Sequence, residues 1–138
     1  MNAASLITLT SGWHCEWLEL QPDLYEFMKP ESVPVLPSWT FDRRRLHGWA
    51  AYLYCDFPLT THPALCWLLY IDSAPSPARI YFNHRYIGEY HAPHPDEPPF
   101  ELDISARVRT GLNQLAFRVE SRSVGQFEGI ALQSLPCS

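Results

Sequence analysis

Between Ala78 and Glu120 the chain passes through three short stretches in which apolar and polar side chains alternate, and this constrains the fold more than any other feature. Ile80 and Phe82 alternate with Arg79 and Tyr81. Phe100, Leu102 and Ile104 alternate with Glu101 and Asp103. Leu115, Phe117 and Val119 alternate with Gln114, Ala116, Arg118 and Glu120. Period-two alternation sends one set of side chains into a core and the other to solvent, as in a half-buried antiparallel sheet. A sheet with one apolar face needs a second layer, and the rest of the chain must supply it.

The remaining stretches fit short strands joined by turns. Thirteen Pro and six Gly in 138 residues punctuate the chain, and Pro is excluded from central strands and helix interiors. Ser5 to Thr10 and Trp13 to Leu20 are candidate strands; a short helix with Trp17, Leu18 and Leu20 on one side competes for the second. Asp23 to Lys29 has the pattern of a helical turn before Pro30, and Ser38 to His47 reads as a loop. Trp49 to Phe57 and Ala64 to Ile71 are apolar on both faces, as central strands are; helix is the competitor for the second run. Asn83-His84-Arg85, flanked by Ala78 to Phe82 and Tyr86 to Tyr90, predicts a hairpin, with Gly88 just beyond it allowing a bulge. Ser105 to Val108 predicts a helical turn capped by Ser105 after the strand at Phe100 to Ile104, and Asp103 also reads as a cap of the turn that follows it. Ser121 to Gln126 reads as a loop, and Phe127 to Leu135 as a last strand closing the sheet near the chain start. The expectation is a single all-β domain, residues 1–138, folded as a two-sheet sandwich or jelly roll.

Charge and cysteine pattern narrow the partners. The net charge is −5 and the one basic run is Arg43-Arg44-Arg45, so no nucleic acid is expected. No apolar run reaches the length of a membrane span and no basic, apolar leader opens the chain, so no membrane is expected and the placement is cytoplasmic with reduced thiols. Cys15, Cys55, Cys66 and Cys137 show no paired spacing, which argues against zinc. Their redox state stays open, since four cysteines allow three pairings; Cys55 and Cys66 lie in apolar runs and read as buried small hydrophobes.

Taken together, ARIYFNHRYIGEY followed by PFELDISARVRTGLNQLAFRVE resembles the non-catalytic N-terminal sugar-binding domain of glycoside hydrolase family 2 enzymes. The matching residues are Ile80, Phe82, Asn83, Ile87 and Gly88, then Pro99, Phe100, Asp103, Ile104 and Ser105, then Arg109, Gly111, Asn113, Leu115, Phe117 and Val119. Pro34 to Trp39 and Gly48 to Tyr52 look like the segments that precede them in that family. The resemblance spans about Val33 to Leu135 and implies a galactose-binding-like jelly roll. The chain departs from the family pattern in three places. His84 replaces the turn glycine, Cys55 or Asp56 stands near the place of a strand-ending arginine, and only Ser121 to Gln126 stands where the family's acidic, Trp-bearing loop reaches substrate.

Glycoside hydrolysis needs two carboxylates facing each other across a sugar. Glu101 and Asp103 share one face of one strand instead, so the chain reads as no enzyme. Sugar recognition needs aromatic platforms and a few polar groups that fix hydroxyls. Trp13, Trp39, Tyr86, Tyr90 and Phe127 are candidate platforms, each competing with a plain packing role, and Arg43, Glu89, His91 and His94 are candidate polar partners. Trp39, Arg43, Tyr90, His91 and His94 are the leading carbohydrate-binding set. His84, His91 and His94 in loops are a weak metal signal, and neither metal nor cofactor is expected. Two functions remain: a carbohydrate-binding-like module, or a structural β-sandwich that has lost its sugar and binds a second copy or another protein.

Overall fold

The computed structural model describes residues 5–20, 25–27, 31–33 and 49–137. All regular structure among them is strand. In chain order the strands are β1 (Ser5–Thr8), β2 (Trp13–Leu20), β3 (Tyr25–Phe27), β4 (Glu31–Val33), β5 (Trp49–Leu59), β6 (Leu65–Ser73), β7 (Ser76–Phe82), β8 (Arg85–Tyr90), β9 (Phe100–Asp103), β10 (Gly111–Val124) and β11 (Glu128–Pro136). They form two antiparallel sheets. The smaller runs β1-β11-β6-β9; the larger runs β3-β2-β5-β10-β7-β8, with β4 also pairing β2.

Register explains why the inner face of the larger sheet is flat enough to cover. Trp17, Ala51, Val119, Ala78 and Tyr90 lie in one row across β2, β5, β10, β7 and β8. Trp13, Cys55, Leu115 and Phe82 make another, and Cys15, Leu53, Phe117, Ile80 and Gly88 lie between. The large rings of the outer rows are interleaved with small side chains, which shares the volume among facing positions. The smaller sheet answers with Trp67, Leu69 and Ile71 of β6 and Ile130 and Leu132 of β11, all in the same buried cluster. Phe117 has no exposed surface and touches the rings of Trp13 (centroids 6.0 Å apart) and Phe127 (5.5 Å). Truncation of such a central ring costs about 3–5 kcal/mol.

Most of the expected elements are present. The strands at 49–57 and 64–71 are central in their sheets, and β11 pairs β1 at the chain start. The β7–β8 turn is Asn83 and His84, both at positive φ (49° and 68°), and the register shifts just beyond, where Ile80 faces Gly88 and Tyr81 faces Tyr86. Asp103 Oδ1 accepts the Ser105 amide at 2.9 Å, capping the turn as expected.

Three expectations change. Residues 25–27 form strand β3 rather than a helical turn, because they pair with Leu18 to Leu20 of β2. Residues 121–124 continue β10 instead of making a loop; the register to β7 shifts between Val119 and Val124, and Ser123 Oγ donates to the Pro77 carbonyl at 2.6 Å while accepting the Glu120 amide. Cys66 is not a buried thiol. It forms a disulfide with Cys137 that ties the end of β11 to the start of β6, whereas Cys15 and Cys55 are buried and take no part in that bond. The loop at 38–47 lies outside the described residues.

Candidate functional site

Side chains that leave the core on the outer side of the larger sheet fall into rows across five strands. One row is His14, Tyr54, Ala116, Tyr81 and Tyr86. The adjacent row is Glu16, Tyr52, Arg118, Arg79 and Glu89. On the other side Asp56 faces Gln114, whose Nε2 donates to Asp56 Oδ1 at 3.0 Å.

The rings of these rows form a connected ladder. His14 stacks on Tyr54 at 5.3 Å, Tyr54 meets Tyr52 at 6.0 Å, Tyr52 meets Tyr81 at 5.8 Å, and Tyr81 meets Tyr86 edge-on at 5.7 Å. Tyr52 and Tyr81 stand on β5 and β7, with β10 between them. Strands two apart are separated by roughly 9–10 Å, so the two rings must lean over β10 to touch. The small Ala116, only 1% exposed, leaves room for that. Tyr52, Tyr54 and Tyr81 are half-buried and Tyr86 is exposed.

The surroundings of the ladder are polar. Burial, followed by the nearby Tyr81, Glu16 and Tyr54, pushes the Tyr52 phenol up; burial, then Glu16 and Asp56, does the same at Tyr54. Both therefore stay protonated and keep a hydroxyl donor at neutral pH. The Nε of Arg118 is buried beside the ladder without a hydrogen-bond partner among the described residues. The face thus offers flat apolar rings interspersed with donors and acceptors, the combination that binds a polyhydroxylated ring: C–H faces stack and hydroxyls find partners.

The residues singled out from sequence are scattered differently. Tyr90 is a correction: it is 1% exposed, packs edge-on against Phe100 at 5.2 Å, and belongs to the core because its position on β8 points inward beside Ala78. Trp13 is likewise in the core, its Nε1 donating to the Leu9 carbonyl at 3.1 Å, and Phe127 is buried against Phe117. His91 is exposed and its Nε2 lies 3.1 Å from Glu89 Oε2. His94 is exposed at the next bend, where Glu97 Oε1 accepts its backbone amide. Trp39 and Arg43 lie outside the described residues. Of the wider set, Tyr86 and Glu89 sit on the ladder face. Tyr52, Tyr54, Tyr81 and Arg118 were missed. The signal for them was the tyrosine repeat at 52 and 54, which shows a shared face but not its neighbours. Glu101 and Asp103 are exposed on one face of β9, and no group of three His, Cys, Asp or Glu among the described residues comes together to hold a metal.

The fold is similar to part of several solved enzymes. An FMN-binding β-glucuronidase from Facaelibacterium prausnitzii L2-6 superposes with a TM-score of 0.68 at 16% identity, over 96% of this chain and 23% of that one. The β-glucuronidase of Bifidobacterium dentium complexed with coumarin-3-O-glucuronide matches with a TM-score of 0.68 at 15% identity, over 99% of this chain and 31% of that one. A glycosyl hydrolase family 2 member from Bacteroides cellulosilyticus DSM 14838 matches at 0.63 and 18%, over 95% and 21%. The chain therefore spans less than a third of these enzymes, and at such identities the likeness is one of fold. No family model matches the chain, and no curated protein matches it.

Proposed function

We propose that the protein is a non-catalytic carbohydrate-binding-like module that holds a sugar on the outer face of its larger sheet. The observation that carries this reading is the Tyr52–Tyr54–Tyr81–Tyr86 ladder, flanked by Arg79, Arg118, Glu16 and Glu89. The fold likeness to a part of glycosidase chains supports it. The exposed carboxylates of β9 share one face, an arrangement unlike the opposed pair that hydrolysis needs. The Cys66–Cys137 bond favours an oxidising compartment, where glycans are met, over the cytoplasm.

Ligand-observed NMR against β-glucuronides, β-galactosides and mannosides tests the reading. Binding by one of these classes is expected, with Tyr54→Ala and Tyr81→Ala each weakening it at least tenfold while the fold is retained. No contact with any of the three classes would sink it.

A second reading, a sandwich that binds protein, is favoured by the edge strand β1. It pairs only β11 among the described residues, and Leu6 on it is 63% exposed. An open edge of this kind accepts an added strand. Light scattering that gives a monomer at high concentration would remove the homodimer form of this reading.

A further inference from the structure

At one end of the larger sheet, the β7–β8 hairpin tip and the 106–109 turn enclose a pocket of about 310 Å³ lined by Phe82, Asn83, Arg85, Ala106, Arg107 and Arg109. Three of its six lining residues are arginine, in a chain that has ten basic residues and a net charge of −5. Among the described residues no carboxylate lines it, and neither Arg85 nor Arg107 makes an ion pair with one. Three like charges gathered in one concavity repel unless an anion sits among them.

The pocket is also built, not merely charged. Asn83 Nδ2 donates to the Arg107 carbonyl at 2.9 Å and to Asn113 Oδ1 at 3.0 Å, joining the two walls. Asn113 in turn accepts the Arg109 amide at 3.0 Å and donates to the Arg109 carbonyl at 2.8 Å. The Arg109 guanidinium is anchored by Nε donating to the Leu112 carbonyl at 3.0 Å, which leaves its terminal nitrogens for another acceptor. A guanidinium fork held like that of Arg109 matches the paired oxygens of carboxylate, sulfate and phosphate.

We propose that this pocket binds an oxyanion group carried on a small organic molecule. Its volume exceeds that of a bare ion and lies at the lower end of small-molecule sites. The proposal does not rest on the sugar-binding reading, because the pocket is at the hairpin tip and the tyrosine ladder is on the sheet face.

The test titrates the whole protein with sodium sulfate, sodium phosphate or sodium acetate at constant ionic strength set with chloride, following the arginine Nε–H and backbone amide signals by NMR. Saturable shifts confined to residues 83–85 and 106–109 are expected for at least one of the three ions, and the three arms separate tetrahedral oxyanions from carboxylate. The double variant R85Q/R107Q is expected to weaken that binding at least tenfold, while R122Q, which changes an arginine already paired with Glu120, leaves it unchanged. Equal, non-saturating responses to all three ions and to chloride would overturn the proposal. So would a folded double variant that binds as tightly as the parent.

Discussion

Asn83 Nδ2 donates to Asn113 Oδ1 at 3.0 Å, a bond that helps tie the tip of the β7–β8 hairpin to the entry of β10, thirty residues on. Asn83 Oδ1 also accepts the Gln114 amide at 2.8 Å, and its own amide donates to the Gln114 carbonyl at 2.9 Å. Asn113, 1% exposed, fills its capacity with two donated and two accepted bonds. Two turns far apart in sequence are thus held by the half-buried amide of Asn83 and the buried amide of Asn113.

Asn113→Ala is therefore expected to destabilise the protein by about 1–3 kcal/mol, because the Arg109 and Gly111 carbonyls and the Arg109 amide lose their side-chain partner and Asn83 Nδ2 loses one of its two acceptors. Asn113→Asp keeps the shape but sets a carboxylate oxygen against the Arg109 and Gly111 carbonyls. It is expected to cost at least as much at neutral pH. Urea unfolding of the three proteins measures both. A loss under about 0.5 kcal/mol for Ala would show that the network contributes nothing beyond its solvated alternatives.

The disulfide closes a long loop, with Cys66 and Cys137 separated by 71 positions in the sequence. Chain-entropy reasoning assigns such a cross-link about 4 kcal/mol of stabilisation. Cys137→Ser, or reduction with dithiothreitol, is expected to lower stability by an amount of that order and to drop Tm by roughly 10–20 °C. An unchanged melting curve after verified reduction would contradict it.

Cys55 behaves oppositely. Burial first, and the Asp56 charge second, push its thiol up to about 11 from the ordinary 9.0. A thiol so buried is expected to resist iodoacetamide in the native protein at pH 8 and to react after unfolding. The folded state holds this proton more tightly than the unfolded one. Its contribution is thus complete below pH 9 and is lost as pH rises through 11, at no more than about 1.4 kcal/mol per pH unit. Stability measured from pH 8 to 11 should fall less steeply in Cys55→Ala than in the parent.

Sequence pattern revealed the central strands, by alternation in β7 and β10 and by unbroken apolar runs between proline-bearing turns in β5 and β6. It failed where pairing overrides pattern. Asp23 to Lys29 has helical spacing, yet Tyr25 to Phe27 lie against β2 and take its geometry. Ser121 to Ser123 break the apolar rhythm, yet the Ser123 hydroxyl supplies the bonds that keep β10 extended. The tyrosine ladder was invisible for a different reason. Tyr52 and Tyr81 become neighbours only when β10 is placed between their strands, and that order is a property of the sheet. The resemblance drew on Asn83, Gly88, Asp103, Gly111 and Asn113, which are turn, bulge and capping positions; such residues specify architecture and say little of what binds to it.

His84 offers the last test, because it occupies a position where its side chain is a cost. The two residues of the β7–β8 turn both have positive φ, as a type I′ turn requires, with His84 at 68°. Asn tolerates that region through its short polar side chain, and Asn83 is further held by its bonds to Arg107, Asn113 and Gln114. A histidine has no such compensation, is exposed, and pays roughly 1–2 kcal/mol for the left-handed conformation. Glycine would remove that strain but lose about 0.5–1 kcal/mol through the greater freedom of the unfolded chain. The balance favours His84→Gly by about 0.5–1 kcal/mol, measured as a raised urea midpoint with an unchanged slope. A destabilised His84→Gly protein would mean that the imidazole makes a contact worth more than the strain it imposes.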